Sequence, residues 1–318
     1  MTPFTADELK VFFLVGPTAT GKTDVSQWIA ERRSCDILSA DAMMVYSGMD
    51  IGTAKPSREF RDKVRYWGLD LVAPAESFNA GEYRLYALQT VRECSLAGRE
   101  VIVAGGTGLY IKSLTHGLSR GSACNPDIRN KAEELLREKG IDALREWLKT
   151  RAPGHYESIV DKNNPRRLVR AMETAHVLPE ADNKTWRLMG KGPKITGLMM
   201  PREMLCERIK LRVRAMYSGG LLEEAERLLR DGIEISPTAA KAIGYAEAIS
   251  VIRKKLTVNE AMELTGKRTR QLAKRQMTWF RNQANVEWLT LDSAMTTEHV
   301  AQMVLDCWEK NGPTPLAV

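Results

Sequence analysis

Three short, almost wholly apolar runs stand out along the chain, Val11-Phe12-Phe13-Leu14-Val15, Val101-Ile102-Val103-Ala104 and Ile195 to Met200. Runs of this length without polar alternation are what strands covered on both faces require, so they predict the centre of a parallel sheet. Asp36-Ile37-Leu38-Ser39 predicts a further short strand, Leu69-Asp70-Leu71-Val72 a strand end, and Val286 to Leu291 a late strand. Helical sequence lies between them at Asp24 to Arg33, Asn79 to Ala97 and Arg202 to Met216. Such alternation of strand and helix is the pattern of an α/β fold.

The pattern changes from Arg120 to about Lys191. Strand-like runs disappear, and charged helical sequence occupies Asp127 to Lys139, Ile141 to Thr150 and Pro165 to Val177. Stretches containing Gly, Pro and Asn lead in and out. The prediction is an α-helical insertion over 120–192, dividing the α/β core into 1–119 and 193–318. The tail after Lys310, rich in Pro and small residues, is expected to be disordered.

The first apolar run leads into Gly16-Pro17-Thr18-Ala19-Thr20-Gly21-Lys22-Thr23, a full G-x-x-x-x-G-K-[ST] phosphate loop followed by a helix. Its glycines let successive N–H groups turn inward, and the helix N-terminus favours an anion. Lys22 adds a charge, and Thr23 a hydroxyl suited to magnesium. The core therefore reads as a P-loop NTPase-like parallel sheet flanked by helices. A kinase, an NTPase and a transferase using a diphosphate donor would share this loop.

Asp41 falls just past the second strand, where open α/β sheets place their ligands. An Asp there is commonly only a turn former, but this one can face the phosphate loop from the adjacent strand. Gly105-Gly106-Thr107-Gly108 repeats the arrangement after the next strand, with the Thr107 hydroxyl among small residues. Val45 to Pro56 has turn residues at close intervals and reads as a structured loop.

Arg208 and Arg212 share a helix face, and their guanidinium forks suit a diphosphate, although nearby acids could also pair with them. Arg166 and Arg167 lie three or four residues from Arg170 on the last insertion helix, an arrangement that an ordinary solvated face would also produce. Thr257-Val258-Asn259-Glu260 fits a capping box that opens a helix. At helical period, Leu272, Ala273, Gln276, Met277, Trp279 and Phe280 cover one side of it. Lys267, Arg270, Lys274 and Arg281 cover another, flanked by Arg268 and Arg275. Lys267 to Arg281 contains no acid, which favours nucleic-acid phosphates over a merely solubilising face.

Composition narrows the class. The 318 residues are 43% hydrophobic and 27% charged, and no apolar run approaches the ~20 residues of a membrane span. Met1 to Lys10 carries Asp7 and Glu8 and shows no secretory pattern, so a cytoplasmic protein is expected. Five scattered cysteines, Cys35, Cys94, Cys124, Cys206 and Cys307, read as reduced structural thiols. A net charge of +7 has the sign for a polyanionic partner. A monomer is expected.

Taken together, several stretches resemble one family, the tRNA dimethylallyltransferases. They are Gly16 to Thr23, Gly48-Met49-Asp50-Ile51-Gly52-Thr53-Ala54-Lys55-Pro56, Gly105 to Tyr110, Asn164-Pro165-Arg166-Arg167-Leu168, Ile243-Gly244-Tyr245 and Thr269 to Arg281. The resemblance implies transfer of a dimethylallyl group from dimethylallyl diphosphate to the N6 amine of the adenosine just 3′ of a tRNA anticodon. It also implies magnesium, and an insertion domain that grips the anticodon stem-loop.

By resemblance Asp41 is the general base, and Thr107 acts beside it. Gly16, Thr18, Thr20, Gly21, Lys22, Thr23 and Arg212 bind the diphosphate, with Thr23 also on the metal. Asp41, Ala42, Met43, Met44, Arg129, Arg166, Arg167, Arg170, Lys241, Gly244, Tyr245, Lys274, Arg275, Gln276 and Arg281 meet the tRNA. In this family the loop holds a prenyl donor, so it does not by itself imply ATP use.

Ala42 stands where many members have Ser, Met44 where Gln is common, and Trp67-Gly68 where a His often occurs. Val177-Leu178-Pro179-Glu180 replaces a common Thr-Gly-Lys-Pro stretch. None of these departures removes a charge that the chemistry needs. Rival readings are an adenylate isopentenyltransferase, which would not require the insertion or the acid-free helix, and a P-loop nucleotide kinase, which predicts ATP consumption. A third is an RNA-binding protein without catalysis.

Overall fold

β1 (Lys10–Val15) is buried along five of its six residues, as an apolar strand must be when sheet neighbours and helices cover it. It belongs to a computed structural model that describes residues 9–118, 125–178, 190–230, 236 and 238–317. The chain divides into two compact units, residues 1–117 with 191–318, and residues 118–190. Sequence placed the insertion at 120–192. Cys124 and Pro179-Glu180 lie outside the described residues, and so does the side chain of Lys241.

In the larger unit, β1 is followed by α1 (Lys22–Arg33), β2 (Asp36–Ala40), α2 (Arg58–Lys63), β3 (Tyr66–Trp67), α3 (Ala80–Leu96), β4 (Val101–Gly105) and α4 (Gly108–His116). The smaller unit contains α5 (Pro126–Arg151), α6 (Pro153–Ser158) and α7 (Pro165–Val177). The larger unit resumes with β5 (Lys194–Met199), α8 (Arg202–Ser218), α9 (Leu221–Arg230), a 3₁₀ turn at Ala239–Lys241, α10 (Tyr245–Ile252) and α11 (Val258–Gln283). β6 (Asn285–Thr290), α12 (Thr297–Asn311) and β7 (Thr314–Pro315) complete it.

The sheet order is β3-β2-β4-β1-β5-β6, with every neighbouring pair parallel. β2 and β4 run in register from Asp36↔Val101 to Ala40↔Gly105, and β4 and β1 to Gly105↔Val15. The phosphate loop, Asp41 and the Gly105–Gly108 turn therefore leave neighbouring strands at one edge of the sheet. One core layer joins Phe13, Val103, Tyr83 and Leu114, and Phe280 of α11 packs into it. The other joins Leu14, Ile29, Ile37 and Leu198 to Val304 and Trp308 of α12.

Two expectations need correction. Leu69–Val72 is not the end of a strand: β3 stops at Trp67, Asp70 takes a positive φ of 55°, and only Val72 bridges back, to Tyr46. The tail is ordered. Thr314 and Pro315 pair antiparallel with Val11 and Lys10, and the Leu316 N–H donates to Leu9 O at 2.9 Å. β5 pairs with β1 only at Leu14 and Val15, so the first residues of β1 present edge backbone groups that the tail satisfies.

In the smaller unit Gly140 (φ 75°, ψ −177°) breaks α5 between the two predicted segments. Leu144, Leu148, Leu168 and Met172 form its core.

Candidate active site

The phosphate loop owes its shape to close backbone approach. A Cβ on Gly16 would sit 2.4 Å from Leu198 O, and Gly16 holds φ 144°, so only glycine fits. Thr20 is buried, and its hydroxyl donates to Pro17 O at 2.9 Å. Gly21, at φ 87°, opens α1, and no side chain caps the helix. The first N–H groups of α1 are thus left for an anion.

The loop borders a cavity of about 410 Å³. Thr18, Gly21, Lys22 and Thr23 line one side, Asp41 and Met44 another, and Gly105, Gly106, Arg208, Arg212 and Gln276 close it. The structure brings Thr18, Gly21, Lys22, Thr23 and Arg212, expected on the diphosphate, together with Asp41, the expected base, and with Met44 and Gln276, expected on the tRNA. Gly16 and Thr20, expected on the diphosphate, shape the loop instead of lining the cavity.

The Lys22 ammonium lies under the loop, donating to Pro17 O at 2.7 Å. Desolvation there lowers its pKa to about 7, with Asp41 opposing the shift and Arg212 adding to it. An arriving anion favours the protonated amine, so affinity should be highest below pH 7 and fall as pH rises above it. Titrating inorganic diphosphate from pH 6 to 9 checks this. Lys22→Arg, which stays charged, should flatten the profile relative to the parent; an unchanged profile would refute the shift.

Asp41 is held by its own turn, Oδ1 accepting the Met43 N–H at 2.9 Å. The Thr107 hydroxyl accepts the Ala42 N–H at 3.0 Å, and the Thr107 N–H donates to Ala40 O at 3.0 Å. Thr107 therefore fixes the Asp41-Ala42 backbone from the next strand. Ala42 and Met43 pack against core clusters.

Sequence reasoning gave Arg208 a diphosphate role beside Arg212 and left two further residues, Lys55 and Glu224, without a site role. Arg208 lies beside Gly21, its Nη2 at 3.2 Å from where a Cβ would be; its spacing from Arg212 was the available signal. Lys55 lines the cavity but spends its three donors on Tyr46 O (2.6 Å), Asp50 Oδ1 (2.6 Å) and Asp70 Oδ1. It locks the Gly48–Pro56 loop. Glu224, buried in α9, holds the same loop by accepting the N–H groups of Asp50, Ile51 and Gly52.

Several residues expected at an RNA surface lie elsewhere. Tyr245 is 1% exposed; its hydroxyl donates to Glu224 and accepts the Gly52 N–H at 3.2 Å. A Cβ on Gly52 would meet the Tyr245 ring at 2.2 Å. The Gly244 N–H is taken by Glu247 at 2.9 Å. Gln276 is half-buried, and its carboxamide accepts the Thr18 N–H at 2.8 Å and donates to Gly106 O at 3.1 Å. Arg268 pairs with buried Glu247 rather than flanking an open face.

In the smaller unit half-buried Arg170 turns to buried Glu173 at 3.0 Å; Arg129, 3.2 Å from Glu133 and 3.8 Å from Glu173, is exposed, as are Arg166 and Arg167. On α11, Lys267, Arg270, Lys274, Arg275 and Arg281 are exposed. Its capping box is present, with Thr257 and Glu260 exchanging hydrogen bonds.

Cys35, Cys94 and Cys307 are buried free thiols. No described helix is long and apolar enough to cross a membrane. Among the described residues no cluster of three or more His, Cys, Asp or Glu could hold a metal.

A phosphate loop, two guanidinium groups and a carboxylate at the adjacent strand end line one cavity of a P-loop-like α/β fold. Residues 44–283 match the family model for IPP transferase. The tRNA dimethylallyltransferase of Acetivibrio thermocellus is 38% identical over 296 residues, covering 91% of this chain and 94% of that protein. The crystal structure of the full-length tRNA isopentenylpyrophosphate transferase from Bacillus halodurans superposes with a TM-score of 0.68 at 33% identity, covering 96% of this chain and 98% of the other. A eukaryotic dimethylallyltransferase acting on tRNA shares the fold, with a TM-score of 0.75 at 21% identity, over 95% of this chain and 76% of the other. The chain belongs to the IPP transferase family, and it is a transferase.

Proposed function

We propose that this enzyme transfers the dimethylallyl group of dimethylallyl diphosphate to the N6 amine of the adenosine immediately 3′ of a tRNA anticodon. The observation that carries the reading is the convergence of Asp41 with the phosphate loop, Lys22 and Arg212 on one cavity in a chain of this family.

The chemistry requires those groups. An adenine amine is a weak nucleophile because its lone pair is delocalised into the ring. Asp41 takes the amine proton as the new C–N bond forms. As the allylic C–O bond breaks, negative charge gathers on the leaving diphosphate. The loop N–H groups, Lys22, Arg208 and Arg212 hold it there. Thr107 keeps the Asp41 segment in place through Ala42.

Magnesium fits the donor set. It typically keeps few protein ligands and takes the rest of its oxygens from water and phosphate, so the Thr23 hydroxyl on the cavity wall would suffice as its protein ligand. When bound it would neutralise part of the diphosphate charge. The exposed cations of α11, with Arg166 and Arg167, meet the RNA backbone, and the target base leaves its stack to enter the cavity.

The test is incubation of the purified protein with magnesium, dimethylallyl diphosphate and unmodified tRNA, followed by nucleoside mass analysis, with AMP and ATP as parallel acceptors. The expected result is a dimethylallyl mass gain on one tRNA adenosine. Prenylated AMP would move the protein to the class acting on free nucleotides.

A further inference from the structure

The helix carrying the exposed cations also sends a carboxamide inward, that of Gln276. Its carboxamide spans two backbone groups 88 positions apart in sequence, Thr18 N–H at 2.8 Å and Gly106 O at 3.1 Å. Thr18 is in the phosphate loop after β1, and Gly106 in the turn after β4, the neighbouring strand. The fit is close on both sides. A Cβ on Gly106 would lie 2.3 Å from Gln276 Nε2, and one on Gly108 would lie 2.2 Å from the Trp279 ring. Thr18, Gly106 and Gln276 all line the cavity that also holds Lys22 and Asp41.

We propose that Gln276 is a positioning residue for the donor site: it staples the phosphate loop to the β4 turn and so sets the loop geometry that receives the diphosphate. The inference rests on the reading of that cavity as the diphosphate site. A carboxamide is suited to the task because it offers an acceptor and a donor on one planar group. A carboxylate would turn a second acceptor toward Gly106 O and place a charge near the bound anion. A hydrocarbon of the same bulk would leave a donor and an acceptor without partners. The position on α11 explains why a carboxamide directly follows Lys274 and Arg275: Gln276 lines the cavity, whereas Lys274, Arg275 and Arg281 are exposed.

Two variants test this. Gln276→Leu should weaken binding of inorganic diphosphate with magnesium about tenfold, as expected when two hydrogen bonds are removed, and raise the donor KM by a similar factor. The tRNA dissociation constant should be unchanged. Gln276→Glu should be impaired at pH 8 and approach the parent protein as pH falls and the carboxyl protonates, because the acid form restores one donor and one acceptor. The Glu side chain keeps the shape of Gln, so this arm stands even where the Leu protein fails to fold.

Diphosphate binding as tight as the parent's in Gln276→Leu, loss of tRNA affinity in its place, or a Gln276→Glu protein that parallels the parent at every pH would overturn the inference. Diphosphate binding needs no transfer step. Gln276-dependent diphosphate affinity in a protein that modifies no tRNA would therefore refute the proposed function and leave the staple standing.

Discussion

Asp41→Asn should slow single-turnover transfer about a thousandfold, within the range for loss of a general base, while tRNA affinity holds. Asn is the informative replacement because its carbonyl oxygen can still accept the Met43 N–H that Asp41 Oδ1 accepts at 2.9 Å. The turn and its Thr107–Ala42 hydrogen bond are then preserved, and only the proton acceptor is removed. The measurement is a rapid-quench rate at saturating donor and enzyme, beside a filter-binding titration of the same tRNA. A protein that keeps its rate and loses tRNA affinity would assign Asp41 to recognition and leave the amine proton without a taker.

The second large effect is on RNA binding. Lys274→Glu combined with Arg281→Glu should weaken tRNA binding on the order of a hundredfold near physiological salt, since two attractions to phosphate become two repulsions. The slope of log affinity against log salt should become shallower by about 1.4, roughly 0.7 for each phosphate of single-stranded RNA that is no longer neutralised. Both residues are exposed, seven positions apart on one face of α11. Ala273 and Phe280 anchor the buried side of the helix, so the fold and the donor KM should be spared. An unchanged salt slope would show that the phosphates lie elsewhere.

These two predictions separate the roles of a helix that serves both ends of the reaction. Its cationic face is available to a polyanion, while Gln276 and Trp279 reach the Gly-rich turns beside the cavity. Substitutions on the two faces should therefore divide cleanly between tRNA affinity and donor affinity.

Sequence alone determined the features that arise from local backbone chemistry. The buried strands show as unbroken apolar runs, and the phosphate loop shows because Gly16 and Gly21 need positive φ. The capping box at Thr257 and Glu260, the break at Gly140 and the charged face of α11 are likewise written within a few turns of chain. Asp41 was legible because its distance past a strand end is a local fact.

Tertiary structure alone decided which of several similar side chains is spent internally. Arg166, Arg167 and Arg170 look alike in sequence, yet Arg170 turns to buried Glu173 while Arg166 and Arg167 stay exposed. Tyr245 and Arg268 sit in equally promising stretches and are consumed by Glu224 and Glu247. The tail, polar enough to read as loose, is fixed by unpaired backbone at the start of β1, near the opposite end of the chain. Gln276 meets Thr18 across 258 positions. Such pairings leave no periodic trace, because their partners are chosen by strand order and helix packing; a side chain's hydrogen-bonding capacity is local, but the group that satisfies it is not.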